Sequence, residues 1–313
     1  MVTPTHIDAA WQRIQPYVRV TPTLKLQTGA FGLPNAQDIW LKLELLQVTG
    51  SFKPRGAFNR ILSNPVPAAG VIAASGGNHG LATAYAARTL GIPAEIFVPT
   101  ISSPVKQHRL REQGATLHVT GENYMAALAA CTQRQIETGA LNVHAYDQPE
   151  TIAGQGTTGR ELELQVPDLD TVLVAVGGGG FIAGIAAWYH GRVKVIAVEP
   201  DTSQCLAAAF AAGHAVDVPV SGVAADSLGA TRIGPLAWEI CQQYVAQAIT
   251  VSNAAITQTQ HQLWNELRLI AEPGGATALA ALLSAAYVPA PGERVSVLVC
   301  GSNTDPVQLF AKT

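Results

Sequence analysis

With 313 residues, 48% of them hydrophobic and 13% charged, the chain can bury a large core and exceeds the usual size of a single one, so two intimate lobes are expected. No apolar run is long enough to span a bilayer, and the opening residues include Asp8 without a basic stretch leading into an apolar one, so neither a membrane span nor a secretory leader is expected and the cytoplasm is the expected compartment. A net charge of −3 without a basic cluster leaves no electrostatic footprint for nucleic acid or an anionic membrane, and the expected partner is a small molecule.

From residue 38 onward, short β-rich runs alternate with helical segments across glycine-bearing junctions, the pattern of a parallel sheet with crossover helices and hence of an α/β fold. Ile39, Leu41 and Leu43 alternate with Trp40, Lys42 and Glu44, which predicts a strand with one face less buried than the other. Thr49, Gly50 and Ser51 then break the chain. Ser51 is a candidate cap for a helix over 52–61, which places Lys53 in that helix's first turn. Residues 71–74 predict a strand, 75–77 its turn, and 78–90 a helix closed by Gly91. Residues 172–176 form a continuous apolar strand followed by Gly177, Gly178, Gly179 and Gly180 and a helix from Phe181. The last such unit runs from 295–299 into Cys300, Gly301, Ser302 and Asn303. Glycine- or serine-rich loops thus follow four strands, and open α/β sheets bind ligands beyond those strand ends. Cys131, Cys205, Cys241 and Cys300 form no C-x-x-C pair, so neither zinc nor a disulfide framework is expected.

Four glycines ahead of a helix let several amides and the helix dipole face one anion, for which a phosphate is the natural guest. The run does not have the spacing of the G-x-G-x-x-G fingerprint, which disfavours a nicotinamide dinucleotide. Lysine is scarce, and Lys53 stands between Phe52 and Pro54 at a helix start. A surface lysine is the bland alternative. A partly desolvated ammonium at a helix N-terminus has a lowered pKa, and the resulting amine forms imines with aldehydes.

These motifs resemble the fold type II pyridoxal 5′-phosphate (PLP) enzymes of the serine/threonine dehydratase and serine racemase group. The resemblance is carried by 51–57 (SFKPRGA), 75–80 (SGGNHG), 153–157 (AGQGT), 177–180 and 300–303, with Thr21-Pro22-Thr23 and Glu272-Pro273 as further matches, and it spans essentially the whole chain. It implies a tryptophan synthase β-like architecture of two three-layer α/β/α lobes with open, mostly parallel sheets. Residues 1–49 and 147–313 would form the large PLP-binding lobe, and 50–146 the small lobe carrying the substrate loop. It further implies that Lys53 is the catalytic residue that holds the cofactor aldehyde, with Phe52 packed on the pyridine ring. Asn78 would bond the phenolic oxygen, Gly177 to Gly180 and the Phe181 amide would bind the phosphate, and Cys300 would face the pyridine nitrogen. Ser75, Gly76, Asn78 and His79 would receive the substrate. The implied activity is an ammonia-lyase converting L-serine, L-threonine or a related 3-hydroxy amino acid to a 2-oxo acid and ammonia, in a homodimer. A racemase or β-replacement enzyme on the same cofactor is the alternative.

The pattern departs from the group at several positions. Gly76 stands where its racemases carry a second serine that protonates the opposite face, which favours elimination. Ser203, Gln204 and Cys205 follow Glu199-Pro200 where metal-using relatives offer acids, so a divalent or monovalent cation is unsupported, although Glu199 itself could contribute to one. Ser302 replaces a common glycine. With Thr313 soon after, no regulatory domain and no inhibition by isoleucine are expected. Tyr146 and Asp147 are candidates for tuning the substrate, which the loops do not specify.

Overall fold

The computed structural model describes residues 1–307. Helix α1 (Pro4–Ile14) precedes strands β1 (Thr23–Lys25) and β2 (Ile39–Lys42). Next come α2 (Lys53–Leu62), β3 (Val71–Ala74), α3 (Asn78–Thr89), β4 (Ala94–Val98), α4 (Pro104–Glu112), β5 (Thr116–Val119), α5 (Tyr124–Thr138) and β6 (Leu141–Asn142). The chain continues through α6 (Pro149–Gln165), β7 (Thr171–Ala175), α7 (Gly180–Tyr189), β8 (Lys194–Pro200), α8 (Cys205–Ala212) and α9 (Ala225–Leu228). It closes with α10 (Pro235–Tyr244), β9 (Val245–Val251), α11 (Asn253–Leu267), α12 (Pro273–Leu283) and β10 (Val295–Leu298).

Two sheets result, one of six strands in the order β1-β2-β10-β7-β8-β9 and one of four in the order β5-β4-β3-β6. All neighbours are parallel except β1 and β2. β10 lies between β2 and β7, pairing Val295 with Ile39 and with Thr171, so the last strand ties the early chain to its second half. The four-stranded sheet is therefore an insertion between β2 and β7 of the larger one.

β7 is buried along its whole length, as the apolar run that follows Thr171 predicts for a central parallel strand. Helices α6 and α7 approach closely because their contact is built from glycine: a Cβ on Gly184 would lie 2.4 Å from the Ile152 carbonyl oxygen, and one on Gly156 2.7 Å from that of Gly184. This crossing supports α7 from behind and so fixes where its N-terminus points.

Two local expectations are overturned. The alternation around β2 predicts that Trp40, Lys42 and Glu44 share a less buried face, yet only Trp40 is partly exposed, and Lys42 and Glu44 are fully buried. Arg55 donates to Glu44 through Nε (2.8 Å) and Nη2 (2.7 Å), and its Nη2 also reaches Glu161 at 3.1 Å, while Lys42 Nζ lies 2.5 Å from Glu161. Two cations and two carboxylates thus neutralise one another inside the lobe, which is how charged residues occupy a buried face. Nor does Ser51 cap α2. It forms an antiparallel bridge with Gly301, Phe52 takes the cap position, and the buried Ser51 hydroxyl has no partner among the described residues.

Candidate active site

The four strand-end loops meet. Phe52 N donates to the Cys300 carbonyl (3.2 Å) and Ser302 N to that of Gly50 (2.9 Å). Asn303 Nδ2 donates both to the Thr49 carbonyl and to Asn78 Oδ1, each at 2.7 Å. The Phe52 ring stacks on Phe181, centroids 3.9 Å apart and 15° from parallel, which joins the Lys53 segment to the head of α7.

Lys53 opens α2, where Pro54 supplies a preset helical φ at no cost in hydrogen bonding. Its Nζ donates to the Ala145 carbonyl at 2.9 Å and lies 5.1 Å from the Phe52 ring centroid. Burial lowers its pKa to about 8 against the opposing pull of Cys300 and Glu272. A neutral amine is therefore accessible near neutral pH. The ion network acts on the same helix, because Arg55 anchors its first turn two residues beyond Lys53.

The glycine loop is bare by necessity. A Cβ on Gly178 would lie 2.4 Å from the Tyr146 ring, one on Gly180 2.4 Å from the Tyr146 carbonyl oxygen, and one on Gly179, at φ +92°, 2.3 Å from Ile233. The amides of 178–181 donate to no acceptor among the described residues, as expected for the first turn of α7.

Asn78 begins α3, and its side-chain amide is held at both ends: Nδ2 donates to Glu272 Oε1 at 2.5 Å and Oδ1 accepts from Asn303. Burial raises the Glu272 carboxyl to about 7, against the Asn78 bond and the charges of Lys106 and Lys53. Sequence reasoning left Glu272 and Asn303 out of the site. The available signal was a carboxylate placed directly before a helix-opening proline. The Cys300 thiol bonds weakly to the Gly274 carbonyl at 3.4 Å, and burial pushes its pKa up, so it stays neutral.

A cavity of about 470 Å³ opens beside these loops, lined by Gly76, Gly77, Asn78 and Glu272 and faced by α4 and the 223–227 segment. The side chains of Ser75 and His79 do not line it. Ser75 Oγ accepts from the Gly77 amide (3.3 Å), and the buried His79 ring bonds through Nε2 to the Val143 carbonyl (2.7 Å). Burial and the nearby Lys53 lower the His79 pKa to about 3, so its ring is neutral. Asp147 is turned to the head of α10, where its Oδ1 accepts from Leu236 N (3.0 Å) and Ala237 N (3.4 Å). Glu199 accepts from Leu206 N and Ala207 N, each at 2.8 Å, at the head of α8. No group of three or more His, Cys, Asp or Glu capable of holding a metal occurs among the described residues.

Residues 14–301 match the family described as pyridoxal-phosphate dependent enzymes. The chain belongs to that family. It is 37% identical to an L-threonine ammonia-lyase of Geobacter sulfurreducens over 97% of this chain and 76% of that protein. It is 34% identical to a beta-hydroxyaspartate dehydratase of Paracoccus denitrificans over 97% and 98% of the two chains. The solved structure of maize serine racemase superposes with a TM-score of 0.91 at 32% identity, covering 99% of this chain and 96% of that one. The two parallel-sheet lobes are those of the fold type II PLP enzymes, and this chain is a PLP-dependent enzyme.

The residues present fit the cofactor. An aldehyde needs an amine that is neutral near physiological pH, and Lys53 offers one. A phosphate needs convergent donors on a surface without side chains, and the amides of 178–181 at the head of α7 offer them.

Proposed function

We propose that this enzyme is an ammonia-lyase that eliminates the β-hydroxyl of a 3-hydroxy amino acid such as L-serine or L-threonine, releasing a 2-oxo acid and ammonia. The observation that carries the reading is the desolvated amine of Lys53 beside an amide-lined, glycine-only loop. The relatives named for threonine and for beta-hydroxyaspartate support it, since both substrates bear a hydroxyl on Cβ.

In this proposal Lys53 holds the cofactor aldehyde, and Gly177 to Gly180 with the Phe181 amide receive the phosphate. Asn78 bonds the phenolic oxygen, with Glu272 and Asn303 keeping its amide in place. Phe52, already stacked on Phe181, would pack against the pyridine ring. Cys300 presents a neutral thiol to the pyridine nitrogen. When bound, PLP supplies an electron sink for the pair left on Cα as its proton leaves. The Lys53 amine would take that proton. The substrate carboxylate lies on the first-turn amides of α3 at Asn78 and His79, bordered by Ser75 and Gly76, so His79 contributes its main chain while its ring braces the Val143 segment. The small lobe is proposed as 50–146 and the large lobe as 1–49 with 147–313. The resemblance extends the proposal to a homodimer acting in the cytoplasm, which light scattering and cell fractionation would check.

A racemase is the second reading, and one observation favours it: Ser102 Oγ lies 3.1 Å from where a Cβ on Gly76 would sit, near the place of the missing serine. One experiment separates the two. The purified enzyme is given a panel of 3-hydroxy amino acids while absorbance, 2-oxo acid, ammonia and product chirality are followed. Oxo acid with retained chirality of the remaining substrate supports the lyase; inverted amino acid supports the racemase. A protein that gains no visible absorbance with PLP would sink both.

A further inference from the structure

The lyase reading leaves open what the substrate carries beyond its hydroxyl. Helix α4 presents Lys106, Arg109 and Leu110 to the cavity, and spacings of three and four place them on one face of that helix. Leu110 is buried in the small-lobe core, which fixes the rotation of α4, and Arg109 and Lys106 stand half-buried beside it. Gly76, Gly77 and Asn78, where α3 begins, line the same cavity.

The charges on this wall do not cancel. Lys106 Nζ is paired with Asp226 Oδ2 at 2.9 Å, and the Glu272 carboxyl is turned to Asn78. Glu272 is also held near neutrality by burial. Arg109 has no ion pair and no hydrogen bond among the described residues. A half-buried guanidinium without a partner is unusual, because its five donors form a fork that matches a carboxylate. Neither serine nor threonine would satisfy it, since the only anion in each is the α-carboxylate received by α3.

We propose that Arg109 binds a second carboxylate on the substrate side chain, so that the enzyme's preferred substrate is a 3-hydroxy dicarboxylic amino acid of the 3-hydroxyaspartate class. This narrows the lyase reading and rests on it. The α-carboxylate lies on the head of α3, the side-chain carboxylate on α4, and the reacting Cα and Cβ between them. The Cα–H and Cβ–O bonds break, the water lost from Cβ is returned when the resulting imine hydrolyses, and 3-hydroxyaspartate becomes 2-oxosuccinate and ammonia. No oxidant is required.

The test compares 3-hydroxyaspartate, threonine and serine as substrates of the PLP-loaded wild type and of Arg109→Ala, Arg109→Lys and Arg111→Ala, the last on the exposed face of α4. In Arg109→Ala the ratio of kcat/KM for 3-hydroxyaspartate over threonine should fall about 100-fold, the usual scale for truncating one partner of a charged pair, with partial recovery in Arg109→Lys. Arg111→Ala should leave the ratio unchanged. A second readout needs no turnover: malate, which is 3-hydroxyaspartate without its amine, should raise the Tm of the wild type but not of Arg109→Ala, and 3-hydroxybutyrate should raise neither. A wild type that prefers threonine or serine, with a ratio indifferent to Arg109, overturns the inference and leaves the lyase intact. Failure of every hydroxy amino acid to give an oxo acid overturns the lyase reading instead. A malate shift that persists in Arg109→Ala overturns the anion site irrespective of turnover.

Discussion

Glu272 Oε1 accepts a 2.5 Å hydrogen bond from Asn78 Nδ2, and this bond links the head of α12 to the head of α3 across the two lobes. The acid is buried and its pKa is raised to about 7, so between about pH 4.5 and 7 the folded chain holds a proton that the unfolded chain has released. Stability attributable to this group is then present at low pH and declines as pH rises through that window, by about 3 kcal/mol at most. Glu272→Gln should abolish that decline. Urea unfolding of the two apoproteins at pH 5 and pH 8 measures it, and parallel slopes against pH for wild type and variant would refute the assignment.

Lys53 carries a second consequence of burial. Its amine should be half neutral near pH 8, below the usual range for lysine. Competitive acetylation of the apoprotein, read by mass spectrometry on the peptide containing Lys53, should show a midpoint there. A midpoint near 10.5 would contradict the desolvated environment. In Lys53→Ala the protein should keep its fold and lose the visible absorbance that PLP confers on the wild type.

Gly178 borders the Tyr146 ring so closely that a methyl group would have to displace it. Gly178→Ala should lower stability by about 1–3 kcal/mol, the usual cost of overpacking. It should also weaken PLP binding by at least tenfold, because the amides at the head of α7 shift with the ring. Absorbance titration of the apoprotein with PLP, beside a thermal melt, checks both effects. Unchanged affinity would mean that the loop does not contact the phosphate.

The parallel strands and their loops were legible because each signal was local: an unbroken apolar run at 172–176, glycines after it, and a helix beyond. The meeting of those loops is a long-range fact that no window of sequence contains, and Asn303 touching Asn78 and Thr49 is its clearest instance. Ser51 misled for a related reason. A serine before a helix reads as a cap, and only the later strand β10 reveals that its backbone pairs with Gly301 instead. His79 and Asp147 are expected near the substrate from their positions, and the sequence does not show that their side chains bond the Val143 carbonyl and the head of α10. Which side of a helix head faces a cavity depends on the packing of the other lobe.

The burial of Lys42 and Glu44 was hidden from a strand-alternation argument because their partners, Arg55 and Glu161, come from two different helices. Their net neutrality makes the group tolerable, and removing one member leaves an uncompensated charge in the interior. Glu161→Gln should therefore destabilise the apoprotein by about 3–5 kcal/mol. The exposed pair of Arg160 and Asp8, at 2.6 Å, provides the contrast, and Asp8→Ala should cost less than about 1 kcal/mol. Because Arg55 holds the first turn of α2, Glu161→Gln should also reduce the fraction of protein carrying PLP at a fixed cofactor concentration. Urea unfolding of both variants and an absorbance measure of cofactor occupancy test this together. If Glu161→Gln unfolds within 1 kcal/mol of the wild type, the network is not what steadies Lys53; a large loss of stability with full occupancy would confine its role to the fold.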